Sequence, residues 1–160
     1  MATATWANCQ ADFIFDGALI DLIVPGTNRE DWETFWAALR TGPFSLHAYR
    51  DDKPISLPES VAWIMSERKL ASIMVAIQVG SISVHCHFFG GDLELDIDPR
   101  EIKDQVGFEF LLTIMRFVAD ILKKQVFAVP EGGDPEHSFL EVSPDGDCQF
   151  IPPAYGKTAE

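Results

Sequence analysis

Residues Gly80 to Asp98 read G-S-I-S-V-H-C-H-F-F-G-G-D-L-E-L-D-I-D. Ile82, Val84, Cys86 and Phe88 alternate with Ser83, His85 and His87. After Gly90-Gly91, Leu93, Leu95 and Ile97 alternate with Asp92, Glu94, Asp96 and Asp98. A period of two belongs to extended backbone, where successive side chains point to opposite faces. Glycine between two such runs marks a hairpin turn. The stretch therefore predicts two antiparallel strands with one apolar and one polar face, the pattern of a sheet covered on one side only.

Upstream, Ile73, Val75 and Ile77 extend the β pattern back to Leu70, with a turn near Gly80. Ser56-Leu57-Pro58-Glu59 has the form of a capping box and predicts a short helix to about Arg68, with Val61, Ile64 and Met65 inward. Phe44 to Tyr49 alternates as a strand, and Asp51 to Pro54 is a turn. Thr27-Asn28-Arg29-Glu30 is a second capping box. It opens a helix whose Trp32, Phe35, Trp36 and Leu39 fall on one stripe and which Gly42-Pro43 ends. Asp12 to Val24, with Asp16-Gly17 between apolar runs, predicts a hairpin in which Phe13 and Phe15 share a face. Downstream, Asp98-Pro99-Arg100-Glu101 announces the longest helix, whose apolar repeat runs from Phe108 to Leu122, with Lys123 and Lys124 in the last turn. Strands follow at Gln125 to Val129 and His137 to Val142, and Asp145-Gly146 turns the chain toward Phe150-Ile151.

The expected order is ββαβαβββαβββ. That is an α+β fold: a mostly antiparallel sheet with about three helices packed on one face, with room for a split βαβ unit of the ferredoxin-like kind. The 160 residues make one domain, with 1–10 and 152–160 read as loose ends. A composition that is 47% hydrophobic with 12 Phe and 4 Trp supports a real core.

Charge narrows the partners. With 25 Asp and Glu against 12 Lys and Arg, the net charge is −13, which repels phosphate backbones and anionic membranes and leaves a basic protein as the complementary partner. No apolar run reaches the ~20 residues of a membrane span, and Met1 to Gln10 lacks the form of a secretory signal. Cys9, Cys86 and Cys148 are odd in number and form no CxxC pair, so neither a zinc knuckle nor a redox motif is expected. A reducing compartment, the cytoplasm, fits that usage.

Two constellations stand out. Asp92, Glu94, Asp96 and Asp98 would form a ladder on one strand face, neighbours roughly 6–7 Å apart. It could serve as an interface for a basic protein, or simply as a solvated face or a charged edge strand that resists aggregation. A calcium loop is not indicated, because the spacing lacks the glycine-bearing turn. His85 and His87 share a face and could donate imidazoles to one metal with His47 or an acid as a third ligand, or be hydrogen-bonded sheet residues. No nucleophile elbow and no phosphate-binding glycine loop is present, so no catalytic residue and no cofactor is assigned. Trp63 falls between the apolar positions of its helix and is expected to be partly exposed, a possible interface anchor. The leading expectation is a non-catalytic protein-binding module, of the inhibitor or immunity type, masking a basic partner. The alternatives are a metal-binding protein or metal-dependent enzyme using the His85/His87 pair, and a structural homodimer joined along a sheet edge.

Overall fold

The structure, a computed structural model, describes residues 2–152. Its centre is one ten-stranded sheet in which all the neighbouring strands pair antiparallel. The strands are β1 (Ala2–Thr3), β2 (Ile20–Val24), β3 (Ser45–Arg50), β4 (Lys53–Ile55), β5 (Ile73–Val79), β6 (Ile82–Cys86), β7 (Leu93–Ile97), β8 (Val126–Pro130), β9 (Leu140–Val142) and β10 (Cys148–Phe150). Their order across the sheet is β1-β10-β9-β8-β2-β7-β6-β5-β3-β4. The helices are α1 (Trp6–Cys9), α2 (Arg29–Thr41), α3 (Val61–Glu67) and α4 (Gln105–Leu122). None is long and apolar enough to cross a membrane.

The α+β class and the antiparallel sheet are as expected, and the split βαβ unit is present twice. β7 and β8 are both antiparallel to β2, which lies between them, so the chain passes from β7 through α4 to β8 as a parallel crossover around β2. Likewise β4 and β5 flank β3 and are joined through α3. One face of the sheet carries Val75, Ile77, Val84, Cys86, Leu93, Leu95 and Ile97, all buried with the α4 residues Phe108, Leu111, Leu112, Met115 and Val118. Trp32, Phe35, Trp36 and Leu39 of α2 are buried as their spacing predicts. Phe88 wedges between Trp32 and Trp36, its ring 5.5 and 5.7 Å from theirs. It does so with φ +54, a conformation that a bulky residue adopts at a cost, here offset by complete burial.

Several expectations need correcting. Asp12 to Phe15 is no strand: Gln10–Phe13 is a 3-10 turn, because both ladder edges of β2 are already occupied by β7 and β8. Phe13 packs against Phe108 and Phe139 in the core, while Phe15 stays outside under the Arg100 guanidinium. The loose leader is instead ordered, with Ala2 and Thr3 paired to Phe150 and Gln149. Residues 153–160, also read as loose, lie outside the described residues. The cap of α2 is Asn28 with Asp31, and the Thr27 hydroxyl accepts from the Leu93 N–H. Ser60, not Ser56, caps α3. The segment before it is held extended by α2, since Trp36 Nε1 donates to the Pro58 carbonyl and Arg40 to that of Glu59. Asp98 caps only a 3-10 turn, Pro99–Glu101, and Asp104 caps α4. Lys53–Ile55 forms a strand where a turn alone was expected. His137 belongs to a 3-10 turn and not to the strand that begins at Leu140.

Candidate functional site on the helix-free face

The register places side chains of successive strands in rows across the helix-free face, which is accessible from β3 to β7 and buried at Asp21, Ile23 and Val129. One row runs His47, Ala76, His85, Asp96, Asp21, Val129, each cross-strand partner of the next. A parallel row contains Glu94, Ile23, Phe127, Glu141 and Gln149. Tyr49 and Met74 pair on the same face further out. β7 is the middle of this arrangement, not an edge, so its charge does not serve to protect an edge.

Each carboxylate of the ladder has its own partner within the chain. Asp92 accepts the Gly26 and Thr27 N–H groups at 2.9 and 3.2 Å and fixes the turn before α2. Asp98 meets Arg100 at 2.7 Å, and this contact holds its carboxyl below the usual range. Asp96 lies between two imidazoles, with His85 Nδ1 at 3.4 Å and His87 Nε2 at 3.0 Å. Burial pushes the Asp96 carboxyl up, but the hydrogen bonds from His85 and His87 outweigh it and hold the group below its ordinary value. The bond to Asp96 raises His85 in turn, against the opposing effect of burial. The Phe89 ring stacks on His87 at 5.3 Å and 11° between planes.

Glu94 behaves differently. It is the diagonal cross-strand neighbour of Asp21, a carboxyl on β2 that is only 5% exposed. Burial first, and then the neighbouring Asp21 charge, push Glu94 up to about 7. Asp21 is also raised, by burial first, although the Gly132 N–H donating to its Oδ2 at 3.0 Å pulls the other way. Asp21 carries a signal in the sequence, a single acid inside the otherwise apolar run Ala18 to Val24, and reading that run as plain strand missed it.

Among the described residues no three His, Cys, Asp or Glu side chains are placed to hold a metal ion. His47 is separated from His85 by the intervening Ala76, two strand spacings or ~10 Å. The His85 and His87 rings, 6.5 Å apart, both turn to Asp96. Ser83 Oγ lies 3.2 Å from His85 Nε2, which gives the order serine, histidine, aspartate. The Ser83 N–H, which an oxyanion hole at this serine would draw on, is taken by Glu101 Oε1 at 3.2 Å. The cysteines are free and buried, and burial pushes Cys86 up to about 12 and Cys9 to about 11, so neither offers a thiolate. Trp63 is 41% exposed but sits apart from the ladder, in a groove with Arg50, Ile55, Leu57 and Pro58 beside the edge strand β4. No family model, no curated protein and no solved structure matches the chain.

Proposed function

We propose that this chain is a non-catalytic protein-binding module that masks a basic partner, docking it on the helix-free face of the sheet. The observation that carries this reading is that the helix-free face stays accessible from β3 to β7 while the net charge is −13. Tyr49, Met74, Phe89 and Phe127 give that surface apolar contact area, and Glu94, Asp98 and Glu141 stand among them. Interfaces draw specificity from such a mixture, and the field of the whole molecule steers an oppositely charged partner. Because Asp92, Asp96 and Asp98 are paired internally, the ladder contributes less than its formal charge, and the long-range field contributes more. An edge-to-edge homodimer has weaker support, since β1 has two residues and β4 has three, one of them Pro54.

Purified protein used as bait in cell lysate should retain a basic protein at low salt and release it progressively as salt rises. Gln78→Arg and His47→Arg, both on the bare face, should weaken retention by about tenfold, the scale of one lost favourable contact. Thr113→Arg adds the same charge on the outer side of α4 and should leave retention nearly unchanged. Retention that ignores salt, or equal losses from all three variants, would remove the reading.

A further inference from the structure

A cleft of about 530 Å³ opens where the loop after β8 meets the turn at Asp12 and the chain leaving β10. Pro130, Phe139 and Ile151 give it an apolar wall, and Asp12, Glu131 and Glu136 stand around them. Among the described residues no Lys or Arg lines it. Most backbone donors of the loop are already taken. The N–H groups of Glu131 and Gly133 donate to the carbonyls of Leu19 and Pro130, and that of Gly132 to Asp21 Oδ2. Those of His137 and Ser138 donate to the Asp134 and Pro135 carbonyls, and that of Glu136 to Asp134 Oδ1. The His137 ring also turns to Asp134, with Nδ1 at 3.0 Å. An anion would find few free N–H groups here and no lysine or arginine, whereas carboxylate acceptors remain.

Ser138 gives an independent sign of a ligand. It is only 8% exposed, and its hydroxyl has no hydrogen-bond partner among the described residues. No fully enclosed side-chain oxygen or nitrogen there goes unpaired, so this hydroxyl opens on the cleft that Ser138 lines. A donor bound in the cleft would satisfy it. Burial pushes the Asp12 carboxyl up, with no cation beside it to oppose the effect.

We propose that this cleft binds a small aliphatic amine as its ammonium ion. An ammonium carries three donors and no acceptor, which matches a wall that offers acceptors and few donors. Its charge offsets that of Asp12. Glu131 keeps Oε1 for it, since Oε2 accepts the Leu19 N–H at 2.9 Å. The hydrocarbon stem lies on Phe139 and Ile151, as lysine stems lie on apolar surface. A hard metal ion fits less well, because the apolar wall gives it no oxygen ligands. Amine binding here needs no protein partner.

Titration of the full chain with putrescine at fixed ionic strength, followed by backbone amide NMR, tests this. The Gly133, Ser138 and Phe139 amides should shift together and saturate. Butanediol, with the same stem and no charge, should leave them unmoved. Asp12→Asn keeps the shape and removes one charge, and should weaken binding by about tenfold, the scale of a charge-assisted contact. Ser138→Ala should weaken it by about fivefold, the scale of a neutral hydrogen bond. Asp52→Asn makes the same charge change on the turn between β3 and β4 and should leave binding nearly unchanged. The amide spectrum away from the cleft reports that each variant is folded. Shifts that never saturate would overturn the site, as would a diol that matches the diamine. So would equal losses from Asp12→Asn and Asp52→Asn, or wild-type affinity in Ser138→Ala.

Discussion

Strand β7 carries two chemistries on one backbone. Leu93, Leu95 and Ile97 point into the helix-covered side and are at most 2% exposed, whereas Glu94 and Asp96, on either side of Leu95, stand on the bare side. On the covered face neighbours are interchangeable in kind: any apolar group of the right volume contributes dispersion and excludes water. On the bare face neighbours are specific. Asp96 is stabilised as an anion by two histidines, and Glu94, two residues before it, is driven toward the neutral acid by burial beside Asp21. Both are carboxylic acids on the same half-buried face. What differs is the set of neighbours that register brings: His85 stands opposite Asp96 on β6, whereas Glu94 faces Ile23 on β2 with Asp21 on the diagonal.

The largest effects should come from the covered face. Leu95→Ala removes a side chain that is 2% exposed between β2 and β6 and should destabilise the fold by about 3 kcal/mol, read as a lower denaturation midpoint with an unchanged slope. A cost below about 1 kcal/mol would mean that the site collapses around the loss and that the two faces differ less than burial implies.

Asp96→Asn should have a smaller effect and one that depends on pH. Folding raises His85, so that contribution is present below its unfolded value of ~6.5 and fades as pH climbs past the raised one. Folding lowers Asp96, so its contribution is present above ~3.9 and fades as pH falls. The substitution should therefore cost most between about pH 4.5 and 6.5, on the order of 1 kcal/mol given the half-open setting, and least near pH 9. Thermal denaturation across pH would show this as a difference that narrows at both ends.

The same contrast explains what could be read in the sequence. The alternation from Ile82 to Ile97 fixes which side chains share a face, because two-residue periodicity is a local property of extended backbone. It therefore gives the sheet, its covered face and the common side of His85, His87, Glu94 and Asp96. Partnership is not local. That Asp21 would sit opposite Asp96 depends on β2 entering the sheet beside β7, a pairing as distant along the chain as the 66 residues between Gly26 and Asp92, whose hydrogen bond closes one end of it. The hairpin expected at Asp16-Gly17 fails for the same reason. Its turn chemistry is real, with Asp16 Oδ1 accepting the Ala18 N–H, but distant strands claim both edges of β2. His47 as a third ligand beside His85 and His87 needed it to reach His85, and strand order places β5 between them.

The last expected effect has the opposite sign to the others. Folding raises Glu94 to about 7, so the unfolded chain gives up this proton more readily than the native one. The native state is then favoured by this group below its unfolded pKa of ~4.3 and loses that advantage as pH rises through about 7. Glu94→Gln removes the penalty while keeping a donor for Asp21. It should leave stability unchanged near pH 4 and increase it at pH 8. In a dry site the shift would be worth several kcal/mol, but a side chain on a bare sheet face is partly solvated, and a gain of about 1 kcal/mol is the expected size. Two acids of one strand, both pointing to the same side, would thus respond to amide substitution in opposite directions. If Glu94→Gln instead destabilises at pH 8, as Asp96→Asn should at pH 6, then Glu94 is an ordinary anion.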